Sequence, residues 1–279
     1  MMQLVARLPL RVLHALGSVL GWAMYALSPT YRRHLRENLA QAGYHDARTR
    51  RAAIAEAGKM IAESPKLWLR PRAEVLPLVR SFEGLDHAAR LHAAGKGIVF
   101  LTPHYGCFEI AAQAAAERVP LTVLFRPPKS AWLRPLVARG RAGRNITLAS
   151  ADLGGVRQLL SALKRRETVG MLPDQVPGEG EGEWIDFFGK PAYTMTLAAK
   201  LVQRPDVACF LVMARRLPRG AGYALRMVAL APAQLGESGA RRINRALEEA
   251  IRDCPQQYLW GYNRYKSPRG APPRPQTPA

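Results

Sequence analysis

The chain has 279 residues, 48% of them hydrophobic, and carries 41 Lys and Arg against 21 Asp and Glu, a formal charge of +20. That length buries a full core, and the charge selects polyanionic partners: nucleic acid, anionic lipid or an acidic carrier protein. The basic residues are spread along the chain without an RNP-like string or zinc-finger spacing, which excludes an organised nucleic-acid-binding module.

Residues 1–28 are predicted to form an N-terminal membrane anchor, spanning or embedded, with a buried first helix as the alternative. Val12 to Leu27 is apolar apart from His14, slightly short of the ~20 residues that span a bilayer. Counting from Leu4 lengthens the run, because Arg7 and Arg11 can snorkel to an interface. No small-residue cleavage site marks a removable signal peptide. Arg32, Arg33 and Arg36 follow and favour the cytoplasmic side for the remainder. Two amphipathic helices are expected between Tyr31 and Leu69, broken near Gly43.

After a proline-punctuated stretch from Pro65 to Pro77, strands and helices alternate. Strands are predicted at 78–82, 98–101, 121–125, 146–148, 168–172, 207–214 and 223–230. Helices are predicted at 86–94, 107–118, 132–141, 155–165, 194–203 and 241–253. This alternation argues for one α/β domain over 29–266, a mostly parallel sheet flanked by helices on both faces. Residues 267–279 hold five prolines and are expected to be a disordered tail.

In such open sheets chemistry collects beyond the carboxyl ends of the strands. The strand Gly97–Leu101 runs into Thr102-Pro103-His104-Tyr105-Gly106, and a helix starting near Cys107 puts Glu109 in its first turn. A His in the turn and an acid on the helix can meet, as a general base held in one tautomer by a carboxylate. Arg126-Pro127-Pro128-Lys129 follows the next strand as a basic loop suited to phosphate or carboxylate. Arg139 and Arg141 end a helix, where the dipole favours cations in any case. Asp174 and Gln175 follow Thr168–Leu172 through Pro173 into the same crevice as His104. The glycine- and glutamate-rich run 177–183 then leads to Trp184-Ile185-Asp186-Phe187-Phe188-Gly189. This reads either as a flap over an apolar groove or as core packing. Cys107, Cys209 and Cys254 form no disulfide framework or CxxC pair, so a reducing compartment is expected. Cys107 is read as an apolar filler and not as a nucleophile. His104, Cys107 and Glu109 lack a second ligand cluster, so no metal is expected, and no cofactor.

Taken in order, these residues resemble the late acyltransferases of lipid A biosynthesis, the lauroyl and myristoyl transferases of Gram-negative bacteria. The resemblance runs from Arg36-Glu37-Asn38-Leu39 through His104-x4-Glu109, Arg126-Pro127, Arg139-x-Arg141, Asp174-Gln175 and Phe187-Phe188-Gly189 to Pro255-Gln256-Gln257-Tyr258-Leu259-Trp260. The His-x4-acid signature is shared with glycerophospholipid acyltransferases, but their Phe-Pro-Glu-Gly-Thr block is missing here. Cys107, Gln256 and Tyr262-Asn263-Arg264 depart from the usual Asn, Glu and His-Arg-Arg of the family.

The resemblance implies a glycerolipid-acyltransferase-like fold and an O-acyltransferase at the inner membrane, its catalytic domain on the cytoplasmic face. It implies acyl carrier protein as the acyl donor and an anionic lipid A precursor as acceptor, with no nucleic acid. His104, Glu109, Arg139 and Asp174 are the expected catalytic residues. Arg126, Arg141, Gln175, Phe187 and Phe188 are expected to bind substrate. Transfer would proceed without a covalent intermediate, with Arg139 and backbone N–H groups at the start of the Cys107 helix receiving the oxyanion. The alternatives are an acyltransferase for a glycerophospholipid or another membrane glycolipid, and a non-enzymatic basic adaptor.

Overall fold

A computed structural model describes residues 2–128, 130–143 and 145–275. Helices α1 (Met2–Arg7), α2 (Leu10–Leu27), α3 (Pro29–Gln41), α4 (Ala47–Leu69) and α5 (Arg72–Val75) precede the sheet. Then come β1 (Val79–Glu83), α6 (Leu85–Ala93), β2 (Gly97–Leu101), α7 (Phe108–Ala115) and β3 (Leu121–Phe125). These lead to α8 (Leu133–Arg141), β4 (Ile146–Ser150), α9 (Leu153–Lys164) and β5 (Thr168–Met171). A hairpin of β6 (Gly182–Phe187) and β7 (Lys190–Met195) leads to α10 (Thr196–Val202), β8 (Val207–Arg216), β9 (Tyr223–Ala229) and α11 (Gly239–Asp253).

Seven strands form one sheet in the order β1-β9-β8-β2-β5-β3-β4. Five neighbouring strands, β8 to β4, are parallel; β9 reverses against β8, and β1 runs with β9. Central β2 is buried along its whole length, as parallel strands with both faces covered require. Its side chains alternate between two cores, as the two-residue period of a strand dictates. Val99 and Leu101 pack with Leu159, Leu201, Ile243 and Leu247 on one face. Ile98 and Phe100 pack with Ile110, Ala111 and Ala114 on the other.

Long α4 joins these two cores, with Ala53 and Ile54 in the first and Leu67 in the second. It continues through Pro65, although the missing N–H forfeits one helical bond. The proline-punctuated stretch expected from Pro65 therefore begins inside this helix, whose Leu67 is held in the core beyond the proline.

The apolar N-terminal run forms α2, the one helix among the described residues long and apolar enough to cross a membrane. It is docked on α4 as well. A Cβ at Gly58 would lie 1.9 Å from Gly17 O and 2.3 Å from Gly21 N, so only glycine admits the approach of the two backbones. Leu10, Leu13 and His14 are buried on this face, while Leu16, Val19 and Leu27 on the other are 53%, 69% and 83% exposed.

The carboxy-terminal stretch differs in part from the expected disorder. Trp184 Nε1 donates to Pro272 O at 2.8 Å, and the Arg274 guanidinium lies 4.9 Å from the Trp184 ring. Residues 276–279 of that stretch lie outside the described residues.

Candidate active site

The strand β2 ends in the Pro103 turn, and β5 beside it ends in the Pro173 turn, so His104 and Asp174 face one another at the carboxyl edge of the sheet. His104 Nδ1–H donates to Asp174 Oδ1 (2.9 Å), and the His104 backbone N–H donates to Asp174 Oδ2 (2.8 Å). One buried carboxylate therefore fixes both the ring and the turn that carries it. Burial pushes the Asp174 carboxyl up, but the His104 charge and the two His104 hydrogen bonds outweigh it and hold it below the usual carboxylate range. Nearby Arg264 acts in the same direction.

With Nδ1–H committed to Asp174, His104 Nε2 is the acceptor nitrogen. Gln175 Nε2 donates to it at 3.1 Å. The Gln175 turn is itself held by the Val176 N–H, which donates to Tyr262 Oη (3.0 Å). The Phe108 ring packs on the imidazole, with centroids 4.8 Å apart.

The turn after His104 is pinned from several sides. Gly106 N–H donates to Gln257 O (2.9 Å), Cys107 N–H to Ala214 O (2.8 Å), and Leu259 N–H to His104 O (3.0 Å). Gly106 has φ +53° and a Cβ there would lie 2.0 Å from Ala214 O, so the position demands glycine. The Arg216 guanidinium donates to Gly106 O (2.6 Å) and to the buried carboxylate of Glu63. Glu63 also accepts from His14 Nε2 (3.0 Å) and Tyr223 Oη (3.1 Å). A continuous buried polar chain thus runs from α2 to the His104 turn.

The expected His104–Glu109 pair is not what forms. Glu109 accepts from Arg141 Nε (2.9 Å), from Arg141 Nη2 and from Trp68 Nε1 (3.1 Å). Among the described residues it makes no hydrogen bond to His104, whose two ring nitrogens are taken. The reason is topological: β5 lies directly beside β2 and delivers Asp174 to Nδ1, while α4 and α8 deliver Trp68 and Arg141 to Glu109.

Other expectations shift with it. Arg141, the end of α8, joins the ion pair and lies 5.4 Å from the Phe125 ring, whereas Arg139 is exposed. Arg126 is exposed just beyond β3, and Lys129 of the same loop lies outside the described residues. Of the backbone N–H groups at the start of the Cys107 helix, expected to receive an oxyanion, that of Cys107 itself is committed to Ala214 O. Phe187 and Phe188 are buried in the core with Tyr258 and Trp260. Phe188 is also tied by Gln41 and Glu248 at the hairpin tip, which is core packing and not a flap. Cys107 is fully buried, and burial drives its thiol well above the usual range; it stays protonated and is a poor nucleophile.

Sequence reasoning missed Glu63 and Arg216. Glu63 is an acid at a core position of α4, spaced between Met60 and Leu67, and that spacing was the only signal. Asn38, of the Arg36-Glu37-Asn38-Leu39 segment, donates to the carbonyls of Trp260 and Tyr262 (2.7 and 2.8 Å), tying the amino-terminal helices to the segment beside His104.

Residues 1–267 match the family described as bacterial lipid A biosynthesis acyltransferase. The chain belongs to that family. It is 26% identical over 283 residues to the lipid A biosynthesis lauroyltransferase of Escherichia coli K12, covering 97% of this chain and 91% of that protein. It is 25% identical to the lipid A biosynthesis palmitoleoyltransferase of the same organism, over 94% of this chain and 87% of that protein. The match of this lipid A acyltransferase therefore runs over nearly the whole length of these relatives.

Proposed function

We propose that the protein moves a fatty acyl group from the thioester of acyl carrier protein to a hydroxyl of a lipid A precursor, with His104 as general base. The observation that carries this reading is the Asp174 carboxylate on His104 Nδ1, which leaves Nε2 as the nitrogen that can accept a proton. An acceptor hydroxyl displaces the Gln175 amide from Nε2, gives up its proton there, and its oxygen attacks the thioester carbonyl carbon. Asp174 stabilises the imidazolium that results. The tetrahedral intermediate collapses with cleavage of the C–S bond, and the departing thiolate takes the proton back from His104 Nε2. No enzyme nucleophile is required, in agreement with the buried, protonated Cys107.

Arg141 replaces Arg139 as the cation for the developing oxyanion, oriented by its ion pair with Glu109. An apolar cavity of about 40 Å³, lined by Phe108, Ala111, Leu121, Gly170 and Met171 among others, adjoins Phe108 and thus the imidazole. It lies where the first part of an acyl chain would run from a carbonyl at His104. At the size of about three waters it is shorter than a whole chain, so Phe108 and its neighbours move apart to admit one.

The placement proposed for the protein is the cytoplasmic face of the inner membrane, with residues 1–28 as anchor and 29–266 as the transferase domain. Helix α2 embeds without crossing. It runs along α4, and a crossing would draw Lys59, Glu63 and Lys66 of α4 into hydrocarbon, at a cost of a few kcal/mol or more for each charge.

Incubating the purified protein with defined acyl carrier protein thioesters and either a lipid A precursor or a lysophospholipid tests the acceptor. Acylation of the precursor is expected. Acylation of the lysophospholipid alone would replace this reading with a glycerophospholipid transferase.

A further inference from the structure

A polar cleft of about 680 Å³ lies between α2, α4 and the turn joining β8 to β9. It shares no lining residue with the apolar cavity beside Phe108, and none of His104, Asp174 and Gln175 lines it. Five cations do: Arg11, Lys59, Arg215, Arg216 and Arg219. Two of them are already neutralised, Arg216 by Glu63 and Glu56, and Lys59 by Glu56 at 2.6 Å. Arg11, Arg215 and Arg219 are exposed and have no ion-pair partner among the described residues.

The geometry holds two of these three in place. The Leu217 N–H donates to Gly222 O (2.9 Å), closing the turn that carries Arg219 in the left-handed region, at φ +56°. A Cβ at Gly220 would lie 2.5 Å from Arg11 N, so this turn packs backbone to backbone on α2. Arg215 leaves the end of β8 beside Arg216, whose guanidinium is locked in the core. Three unneutralised guanidiniums around one cleft repel each other, and a phosphate, accepting bidentately from planar N–H forks, relieves that repulsion.

The surroundings say where the phosphate comes from. Arg11, Ala15 and Ser18 of α2 line the cleft. The next stripe round the helix, Val12, Leu16, Val19 and Leu20, is apolar and exposed. Seating that stripe in the acyl region of a bilayer places the cleft mouth among the headgroups. We propose that this cleft binds the phosphate of an anionic phospholipid headgroup, a lipid site separate from the one at which transfer occurs. The argument rests on charge and placement and is independent of the acyl-transfer reading.

The test uses the full-length protein in co-sedimentation with vesicles of phosphatidylcholine, with or without a minority of phosphatidylglycerol. The parent protein is expected to prefer the phosphatidylglycerol vesicles. Arg215→Ala/Arg219→Ala should lose roughly 25-fold of that preference, at about fivefold per cation, while still binding phosphatidylcholine through α2. Both residues are exposed, so the melting temperature should hold. The comparison variant Arg157→Ala/Lys164→Ala removes two exposed charges from α9 and should keep most of the preference. An equal loss in both variants would mean only the general field of a basic protein, and the cleft proposal would fall. It would also fall if the cleft variant kept its vesicle preference but showed a raised KM for the lipid A precursor, since the phosphate would then be the acceptor's own.

Discussion

His104 Nδ1–H donates to Asp174 Oδ1 across 2.9 Å, although the two residues stand 70 positions apart and arrive on different strands. The same carboxylate holds the His104 backbone N–H. Asp174 thus sets the tautomer, the ring plane and the position of the turn together.

Replacing Asp174 by Asn should lower kcat by about 10²–10⁴-fold, the usual worth of a positioned base, with little change in KM for the acyl donor. The amide can still fill the space but no longer supports an imidazolium. Steady-state kinetics on a variant of unchanged melting temperature checks this, and Asp174→Glu should recover part of the loss.

The second pair in the site makes a sharper distinction between neighbours. Arg141→Ala and Glu109→Ala should each cost about 10²–10³-fold in kcat, as loss of an oxyanion-stabilising group does. The double variant should be little worse than either, because the two act as one unit. Arg139→Ala, removing an exposed side chain, should stay within a few-fold of the parent. Kinetics that ranked Arg139 above Arg141 would place the oxyanion cation on the wrong side of α8.

Much of this was legible in the sequence, and the limits have physical causes. The parallel strands show as short apolar runs bounded by turn residues, so β2, β3 and β5 and the turns beyond them could be read directly. Asp174 could be placed in the crevice by its strand and proline alone. Its partner could not, because strand order decides which turns touch, and β2 beside β5 is a pairing over 70 residues. The nearby His-x4-Glu spacing drew attention to Glu109 instead. Arg139 and Arg141 sit about 200° apart on a helix, so only one can face the site, and spacing does not say which. The β6–β7 hairpin was missed because its first strand emerges from a glycine–glutamate run that reads as mobile. What orders it is Phe187 and Phe188 packing on Tyr258 and Trp260, contacts that lie far off in sequence.

Deleting residues 1–28 should destabilise the domain as well as weaken membrane binding. The sequence suggested an anchor added to an independent core, but the deletion would strip His14 from Glu63 and bare the α4 face at Ile54 and Gly58. Loss of Leu10 and Leu13 alone removes about 1.5–3 kcal/mol each of burial, a large share of the 5–15 kcal/mol typical of a domain. Thermal melts of the full and shortened chains in the same detergent measure the difference.

Acid should weaken the fold through Glu63. Burial pushes this carboxyl up, but the Arg216 charge and the hydrogen bonds from His14 and Arg216 bring it down to about 2, against 4.5 unperturbed. A depressed folded-state value means the stabilisation is fully present above pH 4.5 and is lost as pH falls towards 2. Its size is on the order of 3 kcal/mol. Melting temperature against pH should therefore drop over that window, and Glu63→Gln should flatten the acid limb while lowering stability at neutral pH, because Arg216 is left buried without its counter-charge.

The most direct test of the account is a single-turnover reaction of labelled acyl carrier protein thioester with a lipid A precursor, following the label on donor, acceptor and protein. The account predicts that label passes straight to the precursor, that none is ever bound to the protein, and that Cys107→Ala does so as the parent does. His104→Ala should bind the donor and transfer at least about a hundredfold more slowly. Label trapped on Cys107, or a His104→Ala rate close to the parent's, would contradict it.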